Sequence, residues 1–153
     1  MRKDNLNSEK EKRTINIEKM IRDIEQHFGN GFRPYVLRDL KRFQIRKIKN
    51  QLEKNEEYKI KEYRDELTSV VKIFPVGKLR RLAEQKAQEV IMKGTSEALP
   101  PMGAFERFII HDYLKDREGI KTESFGIQGK DRHVEIQPVF GRTLKKSRRR
   151  LIK

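Results

Sequence analysis

Arg107 and His111 are the residues whose types and spacing point most directly to binding chemistry. They lie four positions apart in the segment AFERFIIHDYL, and on a helix this spacing places both side chains on one face, one turn apart. A guanidinium offers a planar fork of donors that fits phosphate oxygens, and a neutral imidazole can stack on a base or hydrogen-bond to a nucleic-acid backbone. These properties are compatible with a nucleic-acid contact, although spacing alone does not establish one. The alternative is that Arg107 pairs with Glu106 or Asp112 and that His111 simply packs beside it.

The sequence gives little support for a catalytic or metal-binding function. The 153-residue chain has no cysteine, no G-x-S-x-G, no Gly-rich phosphate loop and no H-E-x-x-H, and its three histidines share no metal-ligand spacing. We therefore expect no enzyme, no metal or other cofactor and no small-molecule substrate. No apolar run approaches the roughly 18–20 residues of a membrane span, and the first residues are too polar for a signal peptide. We expect a cytoplasmic protein without membrane contact.

Hydrophobic periodicity predicts two helices around this pair. The first, at 79–93, is amphipathic and ends at Gly94. The stretch 96–101 contains two consecutive prolines, which suits an extended edge strand. The second helix, at 103–115, carries Arg107, and Phe108 falls roughly opposite its core side. The apolar residues expected on that core side are Phe105, Ile109, Ile110 and Tyr113.

Four sequence blocks in one order link this half of the chain to a known family: LRRLAEQKAQEVI, ALPPMGAFERFIIH, DREGIKTESFG and RHVEIQP. Together they resemble the R-x-x-x-H domain (the "R-three-H" domain), in the form found at the C-terminus of bacterial Jag (SpoIIIJ-associated) proteins. The resemblance implies two helices on one side of a three-stranded antiparallel sheet, single-stranded nucleic-acid binding, and contact roles for Arg107 and His111. Jag proteins usually carry a KH domain before this one, and residues 1–76 show no recognisable KH domain.

Phe108 departs from the family pattern, which often has a second basic residue directly after the motif arginine. This change removes one phosphate contact. The aromatic ring can instead offer a stacking platform beside His111, since base–aromatic stacking is worth about 1–3 kcal/mol. The alternative is that the N-terminal helices cover Phe108.

Two strands, 120–125 and 133–137, follow the second helix, with alternating apolar and polar residues in the latter. The loop between them contains Gly-Ile-Gln-Gly at 126–129, which has the G-x-x-G pattern of the KH loop. In KH domains that loop joins two helices, whereas this one joins two strands, so we expect an ordinary turn. Lys130 and Arg132 beside it could reach a phosphate.

The positive charge of +14 lies mainly outside the motif-bearing part. Residues 77–140 hold 11 basic and 10 acidic residues, a net charge of +1, and residues 1–76 hold 19 basic and 13 acidic residues, a net charge of +6. Residues 141–153 hold seven basic residues and no acidic one. A polyanion is the natural partner of such flanks. The alternative is that the charges serve solubility.

The N-terminal half is predicted to be helical. Apolar residues at helical spacing run from Asn16 to Gly29, and Pro34 suits the first turn of a second helix. No Gly or Pro occurs between Pro34 and Pro75, so we expect a helical hairpin whose second arm continues as a long basic helix. The β-branched, apolar stretch 68–74 favours a short strand or a connector.

Basic residues in the predicted long helix and in the C-terminal tail are candidate phosphate contacts. On the helix they could equally form a solvated face. The candidates are Arg42, Arg46, Lys49, Lys145, Lys146, Arg148, Arg149 and Arg150.

The predicted fold class is α+β, and five segments follow in order. They are a disordered arm (1–15), the helical hairpin with its long basic helix (16–67), a connector or short strand (68–77), the R-three-H domain (78–140) and a basic tail (141–153). The predicted function is nucleic-acid binding, most directly of single-stranded RNA rather than DNA. The alternative is a structural or assembly protein of a ribonucleoprotein particle such as the ribosome.

Overall fold

The first helix described in the computed structural model begins directly after Asn16, where the sequence predicts it. This helix, α1 (Ile17–Gly29), starts with the Asn16 side chain accepting a hydrogen bond from the Lys19 backbone N–H at 3.2 Å. The structure describes residues 16–64 and 69–139, and the chain divides into two compact units, Met1–Pro75 and Val76–Lys153. The predicted disordered arm and basic tail lie outside the described residues.

The segment after Pro34 forms a strand, so the predicted helical hairpin with a long basic helix is wrong. Strand β1 (Tyr35–Arg38) alternates between half-buried and exposed residues, as a strand with one covered face does. Helix α2 (Arg42–Leu52) then has only 11 residues. Asp39 and Glu56 adopt positive φ angles of 59° and 56°, which break the chain on either side of α2 without a glycine or proline.

The three strands described in the first unit form one antiparallel sheet. A single 3₁₀ turn (Glu53–Asn55) leads to β2 (Lys59–Arg64), and β3 (Ser69–Phe74) confirms the strand expected there. The order is β1-β3-β2, with β3 in the centre. Helices α1 and α2 both pack on one face of this sheet. The buried core consists of Ile24, Phe28, Ile45, Ile48, Leu52, Ile60, Val71 and Ile73.

The second unit has the arrangement that the resemblance implies. Its helices are α3 (Val76–Lys93) and α4 (Ala104–Leu114), and its strands are β4 (Glu97–Ala98), β5 (Ile120–Phe125) and β6 (His133–Pro138). The strands form an antiparallel sheet in the order β4-β6-β5, and both helices contact it.

The buried face of β6 explains why the helices lie on one side of this sheet. Val134 and Ile136 are fully buried, whereas the alternating residues of β6 remain half-exposed. Helix α3 contributes Leu79, Ala83, Ala87 and Val90 to this core, and α4 contributes Ile109, Ile110 and Leu114. The predicted α+β class is therefore confirmed, including two helices on one side of a three-stranded antiparallel sheet. Among the described residues, no helix is long and apolar enough to cross a membrane.

Candidate nucleic-acid interface

The start of α4 is built by the residues that precede Arg107. Pro100 and Pro101 keep the chain extended up to Gly103, which is the N-cap residue of α4. The buried carboxylate of Glu106 lies so close to Gly103 that a Cβ atom there would collide with it. A negative charge in the first turn also suits the positive end of the helix dipole. The sequence GAFER therefore fixes the backbone position of Arg107 in the first turn of α4.

Arg107 is anchored at one end of its guanidinium group. Its Nε donates to the carbonyl oxygen of Met102 at 3.3 Å, and the Met102 backbone N–H donates to the carbonyl oxygen of Arg132 at 3.1 Å. The residue as a whole is only 8% exposed. Arg107 thus ties the loop before α4 to the start of β6, a structural role that sequence reasoning missed.

The two terminal nitrogens of Arg107 differ from Nε. Within residues 16–64 and 69–139 they make no hydrogen bond and no ion pair, so the expected alternative partners Glu106 and Asp112 do not neutralise Arg107. No polar side-chain atom of the described residues is both buried and unpartnered. The terminal nitrogens therefore reach solvent at the edge of an otherwise buried side chain. They form a cationic fork that can receive an anionic oxygen.

His111 lies one turn further along α4 and faces β5. Its Nδ1 is 2.6 Å from Thr122 Oγ1, and its Nε2 is 2.8 Å from Ser124 Oγ. Because hydroxyl groups both donate and accept, they can satisfy the imidazole in either tautomer. Burial lowers the pKa of His111 below 6.5, and the positive charges of Arg107 and Arg132 lower it further. His111 is therefore neutral at pH 7.

Thr122 and Ser124 are site residues that sequence reasoning did not find. Their signal was present in the strand IKTESF, where period-two alternation places both hydroxyl groups on the face towards α4. Hydroxyl groups at two alternate positions opposite a helical histidine are the pattern that could have identified them.

The loop after β5 brings Arg132 to the same edge. Gly126 has a φ of 97°, and a Cβ atom there would lie 2.8 Å from the backbone oxygen of Asp131, so this position requires glycine. Arg132 Nη1 donates to the Gly126 carbonyl oxygen at 3.0 Å, which holds the loop closed. The loop is a turn between two strands, as expected from its context. Lys130 is exposed at its end.

Phe108 lies on the outer side of α4 and is 59% exposed. Its ring stacks at 6.2 Å on that of Phe105, with an angle of 25° between the planes. Phe105 and Tyr113, which we expected on the core side, are half-buried and exposed respectively, and Leu114 is buried instead. An open aromatic ring therefore lies on the same helix as Arg107 and His111.

The three candidate cations of the first unit lie along one side of α2. Arg42, Arg46 and Lys49 are exposed and recur at helical spacing, while the buried residues of α2 occupy a neighbouring side. No ion pair involves any of the three within the described part of the chain. The tail candidates Lys145, Lys146, Arg148, Arg149 and Arg150 lie outside the described residues.

Comparison with known families agrees with this geometry. The family model of the R-three-H domain matches residues 77–138, which contain α4, β4, β5, β6 and all but the first residue of α3. Residues 77–138 are an R-three-H domain. Within the matched segment, the sequence pattern R-x-x-x-H occurs at Arg107 and His111. The resemblance drawn from the four sequence blocks is therefore confirmed.

A curated relative is the RNA-binding protein KhpB of Lactiplantibacillus plantarum. It is 41% identical over 58 residues, which is 38% of this chain and 17% of the relative. The chain thus spans less than a fifth of the length of this relative. In the described part of the chain, no group of three or more His, Cys, Asp or Glu side chains could hold a metal ion.

Proposed function

We propose that this protein binds single-stranded RNA, and that the edge of the R-three-H domain formed by Arg107, His111 and Arg132 is the recognition surface. The observation that carries this proposal is the guanidinium of Arg107, anchored through Nε while its terminal nitrogens stay unpaired and in contact with solvent. An arginine held in this way has given up most of its side-chain freedom before it meets a ligand. Binding of a phosphate therefore requires little further loss of conformational freedom by the Arg107 side chain.

The neutral state of His111 limits what this residue does in the proposed complex. Both ring nitrogens already have hydroxyl partners, so a hydrogen bond to RNA would require breaking one of them. We therefore assign His111 mainly to positioning α4 on β5 and to presenting a flat ring edge. Phe108 is the better stacking platform because its ring is exposed.

The cations of the flanks contribute affinity without base recognition. Each phosphate contact on a single strand contributes about 0.7 to the slope of log affinity against log salt. Arg42 lies in the first turn of α2, where no acidic residue balances the positive end of the helix dipole. A cation at that position is unfavourable for the isolated helix, and an anionic partner would relieve the cost. We include Arg46, Lys49 and the five tail cations in the same role.

We favour RNA over DNA because a curated relative that is 41% identical over 58 residues is named an RNA-binding protein. The ribonucleoprotein-assembly alternative rested on a long polar helix in the N-terminal half together with the basic tail. The structure instead contains the 11-residue helix α2, whose buried side chains belong to the core of the first unit. The N-terminal half therefore does not favour a protein embedded in RNA.

The test compares binding of a single-stranded oligouridylate and of an RNA duplex by the full chain. Arg107→Lys keeps the charge but removes the fork, and we expect it to weaken single-strand binding by about tenfold. Phe108→Ala removes an exposed ring and should weaken single-strand binding by about 5- to 100-fold. Duplex binding should change much less in both variants, because stacking needs unpaired bases.

Matched controls separate binding from folding. Met92→Ala removes another exposed apolar side chain, at the end of α3, and should leave binding unchanged. Circular dichroism checks that Arg107→Lys keeps its helices. If both Arg107→Lys and Phe108→Ala bound single strands as the wild type does, this edge of the domain would not be the binding site.

A further inference from the structure

The sheet of the first unit has one face that neither α1 nor α2 covers. These two helices pack against the face that carries Ile60, Val71 and Ile73. Successive residues of a strand point to opposite faces, so the alternate positions of β1, β2 and β3 point away from both helices. We call these alternate positions the outer face. They are Val36, Arg38, Lys59, Lys61, Tyr63, Val70, Lys72 and Phe74.

The composition of the outer face is one-sided. Four of its eight positions are Lys or Arg, and none is Asp or Glu. One of the four, Lys59, pairs with Glu53 at 3.9 Å. Strand register aligns Arg38, Val70 and Tyr63 in one row across the sheet, and it aligns Val36, Lys72 and Lys61 in the next. Phe74 is buried, so the open part of the face lies in these two rows.

Tyr63 and Lys72 form the centre of the open rows. Tyr63 is 44% exposed, and Lys72 Nζ lies 5.2 Å from the centroid of its ring. Lys72 also lies directly opposite Lys61, so two basic side chains are neighbours on this face. A base stacked on Tyr63 interacts more strongly than an exposed cation–π contact, so it can displace the ammonium group from the ring. The displaced ammonium group is then available to a phosphate.

Protection of sheet edges explains only part of this pattern. Lysines on edge strands prevent pairing with other chains, which accounts for Lys59 and Lys61 on β2. Lys72 lies on the central strand, both edges of which are already paired, so protection of an edge does not explain a lysine at this position. The second sheet offers a comparison, because its corresponding outward positions include Glu123 directly opposite Glu135. An open sheet face in this protein is therefore not cationic by default.

We infer that the outer face of the first unit is a second binding surface for single-stranded nucleic acid. In this arrangement one base stacks on Tyr63, and adjoining phosphates contact Arg38 and Lys72. The inference rests on the proposed function for its class of ligand, and it adds a surface that lies outside the R-three-H domain. Acidic proteins and anionic lipid surfaces would also be attracted to the cations, but neither would use an aromatic stacking platform.

The experiment measures affinity of the full chain for an oligouridylate of about 12 nucleotides over a range of salt concentrations. Tyr63→Thr keeps a residue suited to a strand but removes the ring, and it should weaken binding about tenfold at every salt concentration. Tyr63→Phe should bind as the wild type does. Lys72→Gln should lower the salt slope by about 0.7, the contribution of one phosphate contact.

Lys121→Gln is the matched control for removal of one lysine. Lys121 lies on the outward side of β5 in the other sheet, and its ammonium group pairs with Glu123 at 3.5 Å. This variant should keep the wild-type slope. Equal slopes for Lys72→Gln, Lys121→Gln and the wild type, together with unchanged affinity of Tyr63→Thr, would overturn the inference.

The outcomes also separate the inference from the proposed function. If Arg107→Lys and Phe108→Ala weaken binding while the outer-face variants do not, the surface on the R-three-H domain stands and the second surface is rejected. If Lys72→Gln changes the slope but Tyr63→Thr and Tyr63→Phe both bind normally, the outer face attracts polyanions without stacking, and the inference fails. If the wild type does not bind the oligomer at all, the proposed function itself fails.

Discussion

The guanidinium of Arg107 combines two roles that are usually separate. Its Nε stabilises the fold by holding the Met102 carbonyl group, while its terminal nitrogens remain available to a ligand. Burial reduces the screening of its charge by water, which strengthens any contact with a phosphate. The same burial makes a change to alanine destructive to the fold. Lysine is therefore the informative substitution at position 107.

His111 gives a prediction about pH. Because the pKa of His111 is lowered in the folded protein, the unfolded chain takes up the proton first as the pH falls below 6.5. Stability should therefore decrease on acidification through the lowered pKa. His111→Gln can keep one donor and one acceptor for Thr122 and Ser124, and it should remove this part of the pH dependence. Urea denaturation of both proteins between about pH 8 and pH 5 measures the difference.

The other histidines are present in both proteins, so their contribution to the pH dependence of stability cancels in the comparison. The free energies of unfolding of the wild type and His111→Gln should converge as the pH falls, if glutamine costs stability at pH 8. Parallel curves over the whole range would show that the pKa of His111 is not lowered by folding.

At the scale of elements, Glu84 connects α3 to the turn that precedes β5. Its two carboxylate oxygens accept from Arg117 Nη1 at 2.9 Å and Nη2 at 2.5 Å, and Tyr113 and Gln88 add further hydrogen bonds. Hydrogen bonds from Arg117, and then from Gln88 and Tyr113, lower the pKa of Glu84 to about 2 against the opposing effect of burial. Glu84 thus accepts four hydrogen bonds from three side chains.

Glu84→Gln tests that connection. We expect it to lower the free energy of unfolding at pH 7 by about 1 kcal/mol, because the pair is bidentate but partly exposed. A lowered carboxyl pKa stabilises the fold above 4.5, and this contribution disappears as the pH falls through about 2. The difference between the two proteins in urea denaturation should therefore shrink at low pH.

Glu89→Gln on the same helix is the control. Among residues 16–64 and 69–139, Glu89 forms one ion pair, with Lys86 at 3.3 Å, so its replacement should cost less than half as much. Equal decreases in stability for Glu84→Gln and Glu89→Gln would show that the bidentate geometry adds nothing to stability.

The elements of the R-three-H domain could be predicted from sequence because each has a local signal. Gly94 and the two prolines end one element and begin the next, and β6 alternates strictly. The segment between Pro34 and Pro75 lacks such signals. Its breaks occur at Asp39 and Glu56, which adopt left-handed conformations although neither is a glycine. Aspartate is more common than most residues in this conformation, but glutamate is not, so Glu56 gives no local signal.

The candidate site shows the same division between local and tertiary information. Spacing placed Arg107 and His111 on one helix, and the turn beside Arg132 followed from its glycines. Neither could show that Met102 holds Nε or that two hydroxyl groups hold the imidazole, because those contacts cross from one element to another. The contacts of a side chain with distant segments are set by packing, which periodicity does not describe.

At the scale of the whole molecule, most of the net positive charge lies outside the R-three-H domain. The segment with the R-three-H domain is nearly neutral, with a net charge of +1 over residues 77–140, whereas the flanking segments carry the remaining +13 of the total. Under the proposed function, a nearly neutral recognition domain would limit non-specific attraction, and the flanks would supply it instead. In this arrangement, affinity and strand preference should respond to different mutations.

The tail provides the clearest test of this separation. Ending the chain after Gly141 removes seven basic residues, and it should weaken binding of single-stranded RNA. The slope of log affinity against log salt concentration should decrease by about 0.7 for each phosphate contact that is lost. The ratio of single-strand to duplex affinity should stay close to that of the wild type, because the tail does not recognise unpaired bases. Glutamine at Lys145, Lys146, Arg148, Arg149 and Arg150 keeps the chain length and should reproduce most of the effect. An unchanged slope in both variants would show that the tail makes no phosphate contact, and the affinity would then have to come from α2, the domain edge and the outer face of the first unit.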